Sequence, residues 1–164
     1  RDELPALFKD EAAQALAGQA LLLEECLARE QKEGRLNLPL GPLPNKALLH
    51  GHCHQKSFDA MGAVESVLRL IPELSLQTVE SSCCGMAGAF GYAASTIDIS
   101  LKMAELSLLP AVRKAGEGAL IVADGTSCRH QIHDGAEREV LHVARVLEMS
   151  IAAGKGKSDS LCGK

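Results

Sequence analysis

Lys46-Ala47-Leu48-Leu49-His50-Gly51-His52-Cys53-His54-Gln55-Lys56 is the stretch that decides the fold. A short apolar run, residues 47–50, breaks at a glycine, and an amphipathic stretch at 55–70 then stops before Pro72. That is the outline of a βα unit. Similar runs stand at 76–79 and 119–123, with a helical stretch at 95–114 that kinks or ends near Pro110. Residues 140–142 read as a short fourth strand and 143–153 as a closing helix. Short strands alternating with helices predict an α/β fold with a mostly parallel sheet of three to four strands and flanking helices.

Working outward, residues 10–33 carry Leu16, Ala20, Leu23 and Leu27 at helical spacing, and Gly34 is placed to end that helix. Pro39, Pro42 and Pro44 with Gly41 exclude regular structure after it. The expected organisation is an N-terminal helical arm and Pro-rich linker over 1–45, a body over 46–153 and a flexible tail over 154–164. The chain starts at Arg1 rather than Met, as a piece of a longer protein would.

Composition removes several function classes. The 164 residues are 46% hydrophobic, enough for a real core, yet they include one Tyr, three Phe and no Trp, too few for a base-stacking platform. Net charge is -4 and the cations are scattered, so no basic stripe invites nucleic acid. No apolar run approaches the roughly 20 residues of a membrane-spanning helix, and no signal-peptide layout opens the chain. The expected location is the cytoplasm, or the periphery of the inner membrane face.

Four of the six cysteines, Cys53, Cys83, Cys84 and Cys128, fall a few residues beyond a predicted strand. In a parallel sheet the loops leaving the carboxyl ends line one crevice. His50 to His54, Ser81 to Gly85 and Asp124 to Cys128 would therefore bring sulfur from three loops to one place. Helices starting after each loop would lower the thiol pKa values toward thiolate, the form that binds metal. Gly85, Gly88 and Gly91 would admit close backbone approach and N–H donors to sulfur, and Lys56 and Arg129 would add positive charge. The predicted metal ligands are Cys53, Cys83, Cys84 and Cys128, with Gly85, Gly88, Lys56 and Arg129 around the bound cofactor.

Other readings of the same residues exist. The thiols could be buried structural cysteines, and Cys83 and Cys84 could form a strained disulfide suited to a redox switch. Cys26 on the first helix and Cys162 in the tail fit packing or chance. His50 and His52 form a His-x-His pair of the kind that holds zinc in some hydrolases, with Asp124 as base or ligand. Against that, His50 also reads as a strand residue, and His52 or His54 as outer hydrogen-bonding groups. His130 and His133 make a polar helix face. The run Gly85-x-x-Gly88-x-x-Gly91 lacks the spacing and the Lys-Ser/Thr pair of a phosphate loop.

His52-Cys53-His54, Cys83-Cys84-Gly85 and Gly125-x-x-Cys128, in this order and each after a strand, closely resemble the cysteine-rich CCG domain. That domain occurs in heterodisulfide reductase, in the iron-sulfur subunits of glycolate oxidase and anaerobic glycerol-3-phosphate dehydrogenase, and in the C-terminal part of FAD-linked iron-sulfur oxidoreductases. The wording of the three motifs looks most like the last group. The resemblance covers about 46–153 and implies a half-domain, its companion half missing, with flavin and ferredoxin-like domains of a parent protein as partners and FAD held there. It also implies an iron-sulfur cluster carrying electrons from a D-2-hydroxy acid, with no catalysis by this segment alone. Where the family's motif ends in Cys-x-x-Cys this chain has Gln131, leaving four thiols, which suit an ordinary [4Fe-4S] cluster or a tetrahedral zinc in a structural docking domain.

Overall fold

The computed structural model describes residues 1–81 and 83–158. These form two compact units, Arg1–Asn37 and the chain from Leu38 onward. The rest of the predicted tail, 159–164 with Cys162, lies outside the described residues.

The first unit holds α1 (Glu3–Leu7), α2 (Glu11–Gln19) and α3 (Leu23–Lys32). The single helix expected over 10–33 is thus two. The Asp10 carboxylate accepts from Ala13 N at 2.7 Å and starts α2. Leu22 is extended, and its N–H donates to Glu25 Oε2 at 2.8 Å, so a fresh helix start competes with continuation of α2. Gly34 does follow the end of α3, with φ of +69°.

The second unit is built on four parallel strands, β1 (Lys46–Leu49), β2 (Ser75–Thr78), β3 (Leu120–Val122) and β4 (Val140–Leu141), in the order β2-β1-β3-β4. Ala47 pairs with Leu76 on one side and with Leu120 on the other, so β1 is central. Alternation along β1 and β3 sends Leu48 and Ile121 into an apolar cluster with Leu108, Val112 and Ile132. Ala47, Leu49 and Val122 face the opposite side and are equally buried. Burial on both faces is what a parallel sheet requires.

The connections are more broken than the pattern predicts. After β1 come α4 (Cys53–Ser57) and α5 (Met61–Leu68) in place of one helix over 55–70. Asp59, in the left-handed region at φ +55°, ends the first piece. After β2, a 3-10 turn at Gly88–Gly91 precedes α6 (Ile97–Glu105) and α7 (Leu108–Lys114). The break at Leu106 and Ser107 puts Pro110 in the first turn of α7, where its missing N–H costs nothing. After β3 runs α8 (Thr126–Ala136), and after β4 runs α9 (Val143–Ser158), which continues beyond the predicted end at 153.

Val64, Val67 and Leu68 on α5 are fully buried at helical spacing, each contributing about 1.5–3 kcal/mol. The Pro-rich stretch has no regular structure but is fixed within the second unit. Gly41 N donates to Ser150 O at 2.8 Å, and Ser150 Oγ donates back to Gly41 O at 2.7 Å.

Candidate metal centre

A sheet of order β2-β1-β3-β4 has its switch point between β1 and β3, where chain connections leave in opposite directions. The crevice at the carboxyl ends there is the place where such sheets bind ligands. Backbone pairing continues one residue past the strands, with His50 N donating to Val122 O at 2.8 Å and Ala123 N to Leu141 O at 2.9 Å. The loops that carry the cysteines therefore start from fixed points.

Each predicted thiol can now be located. Cys53 is the first residue of α4 and exposed, Cys83 is half-buried, and Cys84 and Cys128 are buried, the last in the first turn of α8. None of the five described cysteines is in a disulfide, so Cys83 and Cys84 do not form the one considered above. Cys83 acts on Cys53, and Cys84 and Cys128 act on each other, closely enough to shift the pKa values of Cys53, Cys84 and Cys128, and the Cys84 Sγ also lies 3.8 Å from Met86 O. Cys128 also feels the charges of all three other thiols. Cys84 and Cys128 belong to the apolar core and Cys83 packs against it, whereas Cys53 is exposed, and neither Cys53 nor Cys83 is part of the group of donor atoms that Cys84 and Cys128 form.

The electrostatics differ from a uniform drift toward thiolate. Cys84 is held down at about 4 by the hydrogen bond from Cys128, against the burial that pushes it up, and the nearby His50 ring acts in the same direction as Cys128. Cys128 is pushed far up because it is the donor to Cys84 and is itself buried. Burial, and then the bond to Cys83, also raise Cys53, and Lys56 offsets part of this. Like charges held close together are unfavourable, so the depressed pKa of Cys84 goes with raised values at its neighbours Cys128 and Cys53. The helix-start argument also fails for the second loop, where α6 begins only at Ile97.

The surrounding residues divide by role. Gly85 N–H donates to Cys83 Sγ at 3.3 Å, at φ of +87°, and a Cβ there would lie 2.1 Å from Ser100 O. Gly88 has φ of +52°, but a side chain on it would meet open space, so its conformation and not its lack of bulk calls for glycine. Gly91 packs on Met86. Lys56 Nζ donates to Ser81 O. Arg129 turns to the end of β3, donating to Ala123 O at 3.2 Å and Asp124 O at 2.5 Å.

Residues outside the predicted ligand set hold this end of the sheet. Asp124 accepts from Gln55 Nε2 at 2.5 Å and from Val143 N at 3.0 Å, joining α4, β3 and α9. With both oxygens so engaged it is poorly placed to serve as a hydrolytic base. Gly125 leaves room for the ring of His52, since a Cβ would approach it to 2.2 Å and Cys128 Sγ to 3.0 Å. Burial pushes the His52 pKa down. Gln131 is buried and donates from Nε2 to both Ser100 O and Ser100 Oγ at 3.1 Å. His130 accompanies Tyr92, with Nδ1 and Oη 2.9 Å apart.

His50, which the sequence pattern pairs with His52 or reads as a strand residue, lies beside two thiols. One of its ring nitrogens and the sulfurs of Cys84 and Cys128 lie within 4.8 Å of one another, all three residues buried. The signal was its place as the last paired residue of β1, which fixes the ring at the crevice floor. A buried imidazole beside two thiols is a donor set that suits zinc or iron.

Fold and site together define a cysteine-rich parallel α/β domain with a metal-competent cluster at its switch point. Among curated proteins it is similar to the C subunit of anaerobic glycerol-3-phosphate dehydrogenase from Escherichia coli K12, at 30% identity over 152 residues, covering 93% of this chain and 37% of that protein. The Escherichia coli O157:H7 protein of the same name matches equally. D-2-hydroxyglutarate dehydrogenase of Pseudomonas putida is 29% identical over 106 residues, covering 63% of this chain and 10% of that protein. The chain thus spans little more than a third of the length of the two Escherichia coli relatives. No family model and no solved structure matches it. No helix among the described residues is long and apolar enough to cross a membrane.

Proposed function

We propose that this chain is the C-terminal iron-sulfur module of an FAD-linked oxidoreductase acting on a D-2-hydroxy acid, with Cys53, Cys83, Cys84 and Cys128 holding the cluster. The observation that supports the reading is that the buried Cys84 and Cys128, from different loops, set their sulfurs within 4.8 Å of each other and of a His50 ring nitrogen, with Cys53 and Cys83 close enough to act on them electrostatically. Similarity along nearly the whole chain to part of one dehydrogenase, and along a shorter stretch to another, supports the redox context. When bound, the cluster supplies a one-electron relay. The protein's part is to bind it through thiolates, to offer Gly85 N–H to Cys83, and to set Lys56 near Cys53. Gly88 and Arg129 then act through the shape and anchoring of the loops. Flavin and ferredoxin-like domains and a second cysteine-rich half are the partners in this reading, on the cytoplasmic side or at the inner membrane face.

The test is metal and acid-labile sulfide analysis of protein purified and reconstituted without oxygen. About four iron and four sulfide per chain, with a visible band that bleaches on reduction, is the expected result for a [4Fe-4S] centre. The His50 group favours a second reading, a zinc-stabilised docking domain. One zinc and no sulfide after the same treatment would select it.

A further inference from the structure

The most constrained polar group at the crevice is one the four-thiol reading does not use. His50 is 1% exposed, and its backbone is locked in the sheet ladder by the bond to Val122 O. Nδ1 lies 2.8 Å from Ser81 Oγ. Nε2 is buried, meets no oxygen or nitrogen partner among the described residues, and the polar atom set nearest to the ring on that side is the Cys84 sulfur. A buried polar nitrogen left unpaired is unfavourable unless something takes up its lone pair or its proton. The ring also shares a space of at most 4.8 Å between donor atoms with the sulfurs of Cys84 and Cys128.

These facts together describe a ligand awaiting an ion. With Nδ1–H donating to the Ser81 hydroxyl, Nε2 carries the free lone pair, the tautomer that metal-bound histidines adopt when a hydrogen bond engages the other nitrogen. We propose that His50 Nε2 is a metal ligand, forming with Cys84 and Cys128 the buried part of a mixed imidazole-thiolate site, and that Ser81 holds the ring in the ligating tautomer. The inference rests on the reading that the thiols bind metal, and it changes the predicted character of the centre. On iron, His50 would hold one position of the cluster with Cys84, Cys128 and one of Cys53 or Cys83, and a neutral imidazole in place of the remaining thiolate raises the reduction potential, as it does in Rieske centres. On zinc, the result is an ordinary Cys/His set. The competing role for the ring is a proton donor, with Nε2–H pointing at the Cys84 thiolate and no bond to metal.

Nitrogen hyperfine coupling separates the two roles. The full protein would be loaded without oxygen in two ways, with iron and sulfide, and with Co2+ as a paramagnetic stand-in for zinc, and examined by pulsed electron paramagnetic resonance. The expected result is a strong coupling from directly bound imidazole nitrogen that changes on 15N-histidine labelling. It should persist in His52→Ala and His54→Ala and vanish in His50→Cys, which keeps its metal and, on the iron arm, titrates at a lower potential. His50→Ala should weaken metal binding at least about tenfold, and Ser81→Ala by about 10- to 100-fold. A metal-loaded wild-type protein without directly bound nitrogen, or a coupling that survives in His50→Cys, overturns the inference and leaves the thiol reading intact. Wild-type affinity in both Cys84→Ser and Cys128→Ser, or no metal bound by the wild-type protein, sinks both. The labelled wild-type protein and His50→Cys decide the matter if His50→Ala does not fold.

Discussion

Cys84 and Cys128 form a pair in which one proton is shed and one retained, and this gives the metal-free protein a characteristic pH response. Cys84 is depressed to about 4, so its contribution to stability is complete above the ordinary thiol range and disappears as pH falls through about 4. Cys128 and Cys53 are raised, so above the ordinary range the folded chain keeps protons that the unfolded chain releases, and stability drops again. The urea midpoint of metal-free protein should therefore climb from pH 4 toward pH 9 and then turn over, about limits set by the ordinary thiol pKa. Cys84→Ser should flatten the climb, and thiolate ultraviolet absorbance at neutral pH should fall with it. Gly85 offers a second test. Alanine there would have to adopt φ of +87° against the Ser100 carbonyl, and the loss should reach at least about 2 kcal/mol in urea unfolding.

At the level of elements, the strands were legible because their apolar runs are short and bounded by glycine and polar residues. All four lie within one residue of their expected positions. The helices were less so. Apolar periodicity runs unbroken through Asp59 and through Leu106, but a left-handed residue and a downstream proline divide the helices there, and a period count sees neither. The convergence of the thiols followed from strand direction alone. The part played by His50, Ser81 and Gln131 did not, because a polar residue's partner across the fold leaves no periodic trace. Gln131 shows how such a partner can be tested. Gln131→Leu would take a side-chain donor away from the buried Ser100 carbonyl and hydroxyl, which should cost about 1–3 kcal/mol while metal content stays unchanged. Asp124→Ala should cost a similar amount, about 1–2 kcal/mol, because it frees the start of α9 as well as Gln55. Chemical denaturation of each variant checks both values.

On the scale of the whole molecule, the proposed function assigns this chain a relay and leaves substrate oxidation to a flavin domain. The purified chain, fully loaded, should show no turnover of lactate, glycolate or 2-hydroxyglutarate, yet it should be reduced by the flavoprotein portion once substrate is added. Turnover by the chain alone, followed with an artificial electron acceptor, would contradict that division of labour. The strand order carries a consequence in time. β1 is made early, but its neighbour β3 pairs with it only after two further connections have been synthesised, and such distant pairings form slowly. Until then Cys53, Cys83 and Cys84 have no Cys128 to meet, and the edge of β1 beside His50 has no neighbour. Under the proposed function, metal capture by all four thiols therefore waits for the β1–β3 pairing, late in the making of this chain.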